Sequence, residues 1–312
     1  MKQKILVCTS TFGESDKTPL NLLKKNFAVI VNQYRRTLTE DEVIFLGRGC
    51  TGIISGSEHI SEKVLDALPD INCISRVGIG LDNIDLDAAR KRNISIKNTP
   101  DAPTRAVAEL TVGLILDLLR GISIHDHELR HGIWNKKLGD LLQNKKIGII
   151  GLGRIGRLVA ELLLCLGAKV CGTDINPDTN WAQKHDVSLK EFSELLLECD
   201  IVTIHIPFSK ENASPIGNAE IMKMKKGSFL LNLSRGGIVD EVALYQALKS
   251  GHLAGAAVDT FATEPYHGPL IDLKNVILTP HIGSYTRESR SAMELEAVHN
   301  LITMMRGAKD II

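Results

Sequence analysis

Gly151-Leu152-Gly153-Arg154-Ile155-Gly156 has the spacing that lets a backbone wrap an anion. It follows a short apolar run, 147–150, and precedes residues 157–166, whose apolar positions recur at helical spacing; the segment reads as strand, glycine turn, helix. In that setting Gly151 allows the tight turn, Gly153 lets a pyrophosphate approach N–H groups at a helix N-terminus, and Gly156 lets helix and strand pack closely. The next apolar segment, 168–173, ends in Asp174, a carboxylate suited to both hydroxyls of an adenosine ribose. Ile175 and Asn176 follow where an arginine would pair a 2′-phosphate, which points to NAD over NADP. The plainer alternative is a glycine turn in an unrelated α/β sheet.

Arg235, Glu264 and His281 stand near the ends of later apolar segments. Arg235 is a fixed cation able to hold a substrate carboxylate through two hydrogen bonds. His281 can exchange a proton near neutral pH, and Glu264 is the candidate carboxylate to hold one of its tautomers. Singly, each has a dull reading: a charge at the start of a helix, a loop residue before Pro265, a satisfied polar group beside Pro280. A second glycine stretch, 76–85, closes another strand, where its N–H groups could dock a carboxylate. An ordinary turn capped by Asp82 or Asp85 explains that stretch equally well.

The elements that must position these groups alternate. Strands are expected at 4–8, 27–31, 52–55, 72–77, 94–97, 147–150, 168–173, 200–206, 228–233, 255–258 and 276–278. Helices are expected at 19–25, 39–46 (with Thr39 and Glu42 as a capping box), 61–68, 85–91, and 192–197 behind a Ser188/Glu191 capping box. One long helix should carry Val107, Leu110, Leu114, Ile115, Leu118 and Ile122 on one face, and 284–306 should form the last. Alternation of this kind implies α/β architecture with mainly parallel sheets covered on both faces. A chain of 312 residues has room for two such doubly wound domains, and the proline-rich stretch 98–103 marks a boundary.

Lys+Arg and Asp+Glu both number 37, so neither nucleic acid nor an anionic membrane is favoured as partner. The six cysteines form no C-x-x-C pair and read as core residues of a reducing, cytoplasmic compartment. No signal peptide or membrane span is expected. His127 and His131 lie four apart without a further ligand nearby, so no metal is expected. Trp134 sits in a polar stretch, an exposed-aromatic pattern that suggests an interface.

Taken together, the motifs at 76–85 (RVGIGLDNID), 98–110 (NTPDAPTRAVAEL), 151–156, 231–241 (LNLSRGGIVDE), 257–265 (AVDTFATEP) and 278–284 (LTPHIGS) resemble the D-isomer-specific 2-hydroxyacid dehydrogenase family, in its phosphoglycerate dehydrogenase-like pattern. The resemblance spans nearly the whole chain. It implies an NAD-binding Rossmann domain (99–284) inserted in a flavodoxin-like substrate domain (1–98 and 285–312), and an NAD-dependent interconversion of a D-2-hydroxy acid and its 2-oxo acid. By it Arg235, Glu264 and His281 are catalytic. Arg154 and Ile155 line the pyrophosphate and Asp174 the ribose, while Ile206, Leu233, Asp259 and Gly283 belong to the nicotinamide half. Arg76, Gly78 and Ile79 meet the substrate. A homodimer or higher homo-oligomer is implied, with Trp134 near the partner.

Two departures bear on the substrate. A basic residue for a phosphate is expected just after the third strand, yet 53–58 (IISGSE) has none, leaving Arg76 as the nearest candidate and 3-phosphoglycerate a doubtful substrate. No C-terminal regulatory domain is expected. A dinucleotide-sensing corepressor or scaffold of the same fold is the alternative from another class. Formate oxidation is disfavoured, because such enzymes pair the histidine with Gln where Glu264 stands.

Overall fold

The computed structural model describes residues 2–208 and 215–307. In chain order its elements are β1 (Lys4–Val7), α1 (Thr18–Asn26), β2 (Ala28–Val31), α2 (Glu40–Gly47), β3 (Gly52–Ser55), α3 (Glu62–Ala67), β4 (Cys73–Arg76), α4 (Leu86–Lys91), β5 (Ser95–Lys97), α5 (Thr104–Arg120) and α6 (Ile122–Arg130). There follow β6 (Lys146–Ile150), α7 (Arg154–Cys165), β7 (Lys169–Thr173), α8 (Thr179–Lys184), β8 (Ser188–Leu189), α9 (Phe192–Glu198), β9 (Ile201–Ile204), α10 (Asn218–Lys223), β10 (Ser228–Asn232), α11 (Glu241–Lys249), β11 (Leu253–Val258), β12 (Val276–Leu278) and α12 (Arg287–Met305).

The chain divides into two compact units, 1–103 with 284–312, and 104–283. The boundary falls after the proline stretch, at 103 and not 98, because Ala102 packs with the first unit's core and accepts a hydrogen bond from Ser289 Oγ at 3.1 Å. Residues 1 and 308–312 of the expected substrate domain lie outside the described residues.

Among the described residues the first unit holds a five-stranded sheet in the order β2-β1-β3-β4-β5, all pairs parallel. Successive side chains of a strand point to opposite faces, and both faces are covered here. Ile5 and Val7 join Leu23, Met293, Val298 and Leu301 on one side, while Leu6 and Cys8 join Val43, Val64 and Leu65 on the other. α12 therefore completes the core of the unit in which the chain begins, and each fully buried Leu or Val in that layer contributes about 1.5–3 kcal/mol. The second unit holds a seven-stranded sheet in the order β12-β11-β10-β9-β6-β7-β8, again parallel throughout. Its two cores lie around Val202, Ile204 and Leu230 on one face and Ile147, Ile149 and Leu231 on the other.

Two local expectations give way to tertiary structure. The long helix stops at Arg120, since Gly121 turns left-handed at φ +61° and α6 starts afresh, its Ser123 N–H and hydroxyl bound to Asp117. Ile122 is exposed as a result. Ser188 is no cap either: it pairs with Cys171 as the first residue of β8, and Glu191 leads into α9 with no side-chain cap. The Thr39/Glu42 capping box is present at α2. Among the described residues no helix is long and apolar enough to cross a membrane, and no three His, Cys, Asp or Glu side chains are grouped to hold a metal ion.

Candidate active site

The second sheet reverses its winding between β6 and β9, and open α/β sheets bind ligands at the carboxyl ends of such strands. Gly151 leaves β6 at φ +95°, and a Cβ there would press on the carbonyl of His205 at the end of β9. A Cβ on Gly156 would collide with the Gly151 carbonyl, so both glycines are demanded by packing. Gly153 is different. A Cβ on it would meet nothing within 4 Å, and α7 begins just after it with no side-chain cap and no acidic residue in its first turn. The N–H groups and positive dipole end of α7 thus face open ground beside exposed Arg154 and half-buried Ile155.

Asp174 follows β7. Its Oδ2 accepts from Leu152 N at 2.7 Å and its Oδ1 from Asn176 N at 2.9 Å. Each oxygen keeps a lone pair for a ribose hydroxyl. A bare helix N-terminus, a glycine with room above it and an oriented carboxylate at the end of the second strand fit an NAD molecule. Arg157, which sequence reasoning passed over as a helix residue, ties this corner together. Its Nε donates to Leu152 O at 2.8 Å, a second nitrogen reaches Asp178 at 3.2 Å, and its guanidinium lies 4.9 Å from the Trp181 ring centroid.

At the other side of the switch point, turns after β10, β11 and β12 carry the three residues read as chemical. Asn232, at the end of β10, is nearly buried: its Oδ1 accepts from the amide and hydroxyl of Ser234, and its Nδ2 donates to Arg235 O at 2.9 Å. The next turn lies against the backbone of residues 261–262 so closely that a Cβ on Gly236 would overlap the Phe261 carbonyl. That contact brings Arg235 into the electrostatic reach of Glu264. Glu264 is exposed, its Oε1 accepting from Phe261 N at 3.1 Å, and its two oxygens lie 3.1 and 3.0 Å from Nδ1 of His281. Desolvation pushes the Glu264 carboxyl up, but the hydrogen bond and charge of His281, the Phe261 amide and the Arg235 cation hold it below the ordinary carboxylate range.

The loop bearing His281, itself at φ +54°, is built around Asp259. That carboxylate is 1% exposed and accepts from Thr279 Oγ1 at 2.6 Å, Ile282 N at 2.8 Å and Gly283 N at 2.8 Å. Burial raises its pKa, opposed by those three donors and the nearby imidazole. Asp259 thus scaffolds the histidine loop, a task its sequence neighbourhood did not announce. Leu233 and Gly283 are buried and Ile206 is half-buried at the same strand ends.

Arg76, Gly78 and Ile79 lie in the first unit, after β4. Gly78 sits at φ +133°, where a Cβ would strike the Arg76 guanidinium, and Arg76 donates to Val77 O. The sequence suggests that the Gly78 N–H could dock a substrate carboxylate; it does not, because Thr99 Oγ1 accepts that N–H at 2.7 Å. Asn98 Nδ2 donates to Ile79 O at 2.6 Å. Among the described residues the amides of Ile79 and Gly80 have no protein acceptor.

These features define a nucleotide-binding α/β oxidoreductase. Residues 112–283 match the model of the D-isomer specific 2-hydroxyacid dehydrogenase NAD binding domain. The chain is similar to a glyoxylate reductase of Thermofilum pendens (42% identical over 262 residues, 80% of this chain and 77% of the relative). It is also similar to a D-3-phosphoglycerate dehydrogenase of Archaeoglobus fulgidus (36% identical, 82% of this chain), of whose length it spans about half, 49%. A crystal structure of D-lactate dehydrogenase from Aquifex aeolicus with NAD and lactic acid superposes with a TM-score of 0.85 at 27% identity, covering 97% of this chain and 96% of that one. The chain belongs to the D-isomer-specific 2-hydroxyacid dehydrogenases, and is an NAD-dependent oxidoreductase of D-2-hydroxy and 2-oxo acids. The sensing-scaffold alternative gains no support from these relatives.

Proposed function

We propose that Arg235, Glu264 and His281 are the catalytic residues of this oxidoreductase. The observation that carries the reading is the pairing of one imidazole nitrogen with both oxygens of a carboxylate. With Nδ1–H donated to Glu264, Nε2 is the nitrogen left to meet the substrate hydroxyl. In oxidation, neutral His281 takes that hydroxyl proton at Nε2; in reduction, the protonated ring returns it to the carbonyl oxygen. Glu264 stabilises the imidazolium that forms in between. Arg235 holds the substrate carboxylate through its planar fork. The cofactor, when bound, supplies the nicotinamide that accepts or donates the hydride at C2. Gly151, Gly153, Arg154, Ile155 and Gly156 receive its pyrophosphate, Asp174 its ribose, and Ile206, Leu233, Asp259 and Gly283 border its nicotinamide half. The first unit is the substrate domain, with Arg76 and Ile79 as its substrate-binding residues and Gly78, its N–H held by Thr99 Oγ1, shaping the turn between them.

The substrate is a small D-2-hydroxy acid or its 2-oxo acid, the glyoxylate of one named relative being the first candidate, while 53–58 lacks the basic residue that a phosphoglycerate would need. We further infer a cytoplasmic homodimer. The support is a run of exposed apolar side chains in the second unit, Ile122, Leu129, Ile133, Trp134, Leu138 and Leu141, with Trp134 at 78% exposure. The functional test is NADH consumption with glyoxylate, hydroxypyruvate, pyruvate, branched 2-oxo acids and phosphohydroxypyruvate, run beside His281→Ala. Turnover of at least one acid, lost in the variant, is the expected result; turnover undiminished in the variant removes His281 from this role.

A further inference from the structure

Cys171 on β7 and Cys199 at the end of α9 bring two sulfurs together, although 28 residues separate them in the chain. Their Sγ atoms lie 3.2 Å apart, one thiol hydrogen-bonded to the other. The sheet places them so: Val170 faces one core of the second unit and Cys171 the other, where Leu195 and Cys199 lie. Gly148, the neighbour of Cys171 on β6, leaves the space, since a Cβ on it would stand 2.9 Å from Cys199 Sγ. α9 can therefore settle onto the strands and deliver Cys199 to Cys171. Cys199 is fully buried and Cys171 half-buried, so a small solute has one sulfur to reach first.

The surroundings set this pair apart from the other thiols. Lys190, just past β8, and Lys146, at the start of β6, bracket Glu198, with Lys190 Nζ 3.2 Å from its Oε1 and Lys146 Nζ 3.5 Å from its Oε2. The hydrogen bond with Cys199 and then the two lysine charges hold Cys171 below the ordinary thiol range, against its partial burial and the Glu198 charge. Cys8, Cys50 and Cys73 go the other way, burial pushing each up, Cys73 to about 12. Cys199 is also pushed up, chiefly by its hydrogen bond to the Cys171 sulfur and by burial.

We propose that Cys171 and Cys199 form a peroxide-reactive dithiol, a site of reversible oxidation. The Cys171 thiolate attacks one oxygen of hydrogen peroxide; the S–O bond forms, the O–O bond breaks and hydroxide leaves, giving the sulfenic acid of Cys171. Cys199 then attacks that sulfur. The S–S bond forms, the S–O bond breaks, and the departing hydroxide takes the Cys199 proton to become water. With the proton already shed by Cys171 neutralising the first hydroxide, two thiols have lost two electrons and one peroxide has become two waters. The sulfurs have only to close from 3.2 Å to about 2.05 Å. The hydrogen bond to a thiolate that keeps Cys199 protonated is gone once Cys171 carries oxygen, which frees Cys199 to attack.

The test is thiol counting and peptide mapping after hydrogen peroxide treatment of the wild type, Cys165→Ser, Cys171→Ser and Cys199→Ser. Cys165→Ser removes the exposed thiol that would otherwise compete. That variant should lose two thiols, and both it and the wild type should yield a peptide pair joined through Cys171 and Cys199, separated again by dithiothreitol. Cys199→Ser should stop at the sulfenic acid, captured on Cys171 by dimedone. Cys171→Ser should lose the Cys199 thiol at least about tenfold more slowly than the wild type. Mapping of the oxidised wild type decides the matter if a serine variant does not fold. Absence of the Cys171 to Cys199 link from the folded, peroxide-treated wild type and Cys165→Ser overturns the proposal, and so does Cys171→Ser losing the Cys199 thiol at the wild-type rate. None of these readouts needs turnover, so the dehydrogenase reading stands or falls apart from them.

Discussion

Nδ1 of His281 lies 3.0 and 3.1 Å from the two carboxylate oxygens of Glu264, so the carboxylate fixes both the tautomer and the direction of the ring. Substituting His281→Ala should remove the proton carrier while leaving the glycine turn and Asp174 intact. A loss of kcat of about 10²–10⁴-fold is expected, with NADH affinity, read by fluorescence titration, close to that of the wild type.

Glu264 carries a pH signature. Desolvation pushes its carboxyl up, yet the His281, Phe261 and Arg235 interactions win and its pKa stays below the ordinary 4.5. A carboxylate depressed in the folded state contributes stability above its unfolded pKa and loses it as pH falls through the lower folded value. The Tm advantage of the wild type over Glu264→Gln should therefore be full near neutral pH and shrink on acidification below about pH 4.5. A gap that widens in acid would contradict the assignment of that shift.

Arg235 tests geometry against charge. Lysine keeps the positive charge but lacks the planar fork, and Arg235 is set by a turn that Asn232 and Gly236 shape for it. Arg235→Lys should lower kcat/KM for 2-oxo acids about 10–100-fold, corresponding to about 1.4–2.8 kcal/mol of transition-state stabilisation. Equal kcat/KM in the two proteins would mean that a point charge suffices.

How much of this was legible beforehand depends on how far each contact reaches along the chain. The strands, the glycine turn, Asp174 and the capping box at Thr39 are written in residues close together, and a local reading finds them. Asp259 lies at the end of an apolar strand, but its partners lie on another turn and two of them are backbone groups that carry no sequence signal. Gly121 breaking an otherwise continuous helix, and Ser188 pairing in a strand when its spacing with Glu191 suggested a cap, were decided by packing partners. The Gly78 N–H is spent on Thr99, a residue across a strand and helix from it.

Away from the site, the capping box of α2 gives a stability control. Thr39 Oγ1 accepts from Glu42 N at 3.3 Å while Glu42 Oε2 accepts from Thr39 N at 2.9 Å. Thr39→Ala should cost about 1 kcal/mol in denaturant unfolding of the first unit, with kcat unaltered.

The glycines of the turn separate folding from binding. Gly156 is packed so that a methyl group would run into the Gly151 carbonyl, whereas a methyl on Gly153 meets nothing of the protein within 4 Å. Gly153 also has φ of −76°, which alanine adopts without strain. Gly156→Ala must move α7 away from β6 and should lower Tm or prevent folding. Gly153→Ala should fold with a Tm near that of the wild type, differing by no more than about 1 kcal/mol at an N-cap. Its methyl would stand where the pyrophosphate has to reach the N–H groups of α7, so the NADH dissociation constant should rise about tenfold or more. A Gly153→Ala protein that folds and binds NADH as tightly as the wild type would place the pyrophosphate elsewhere than on this helix.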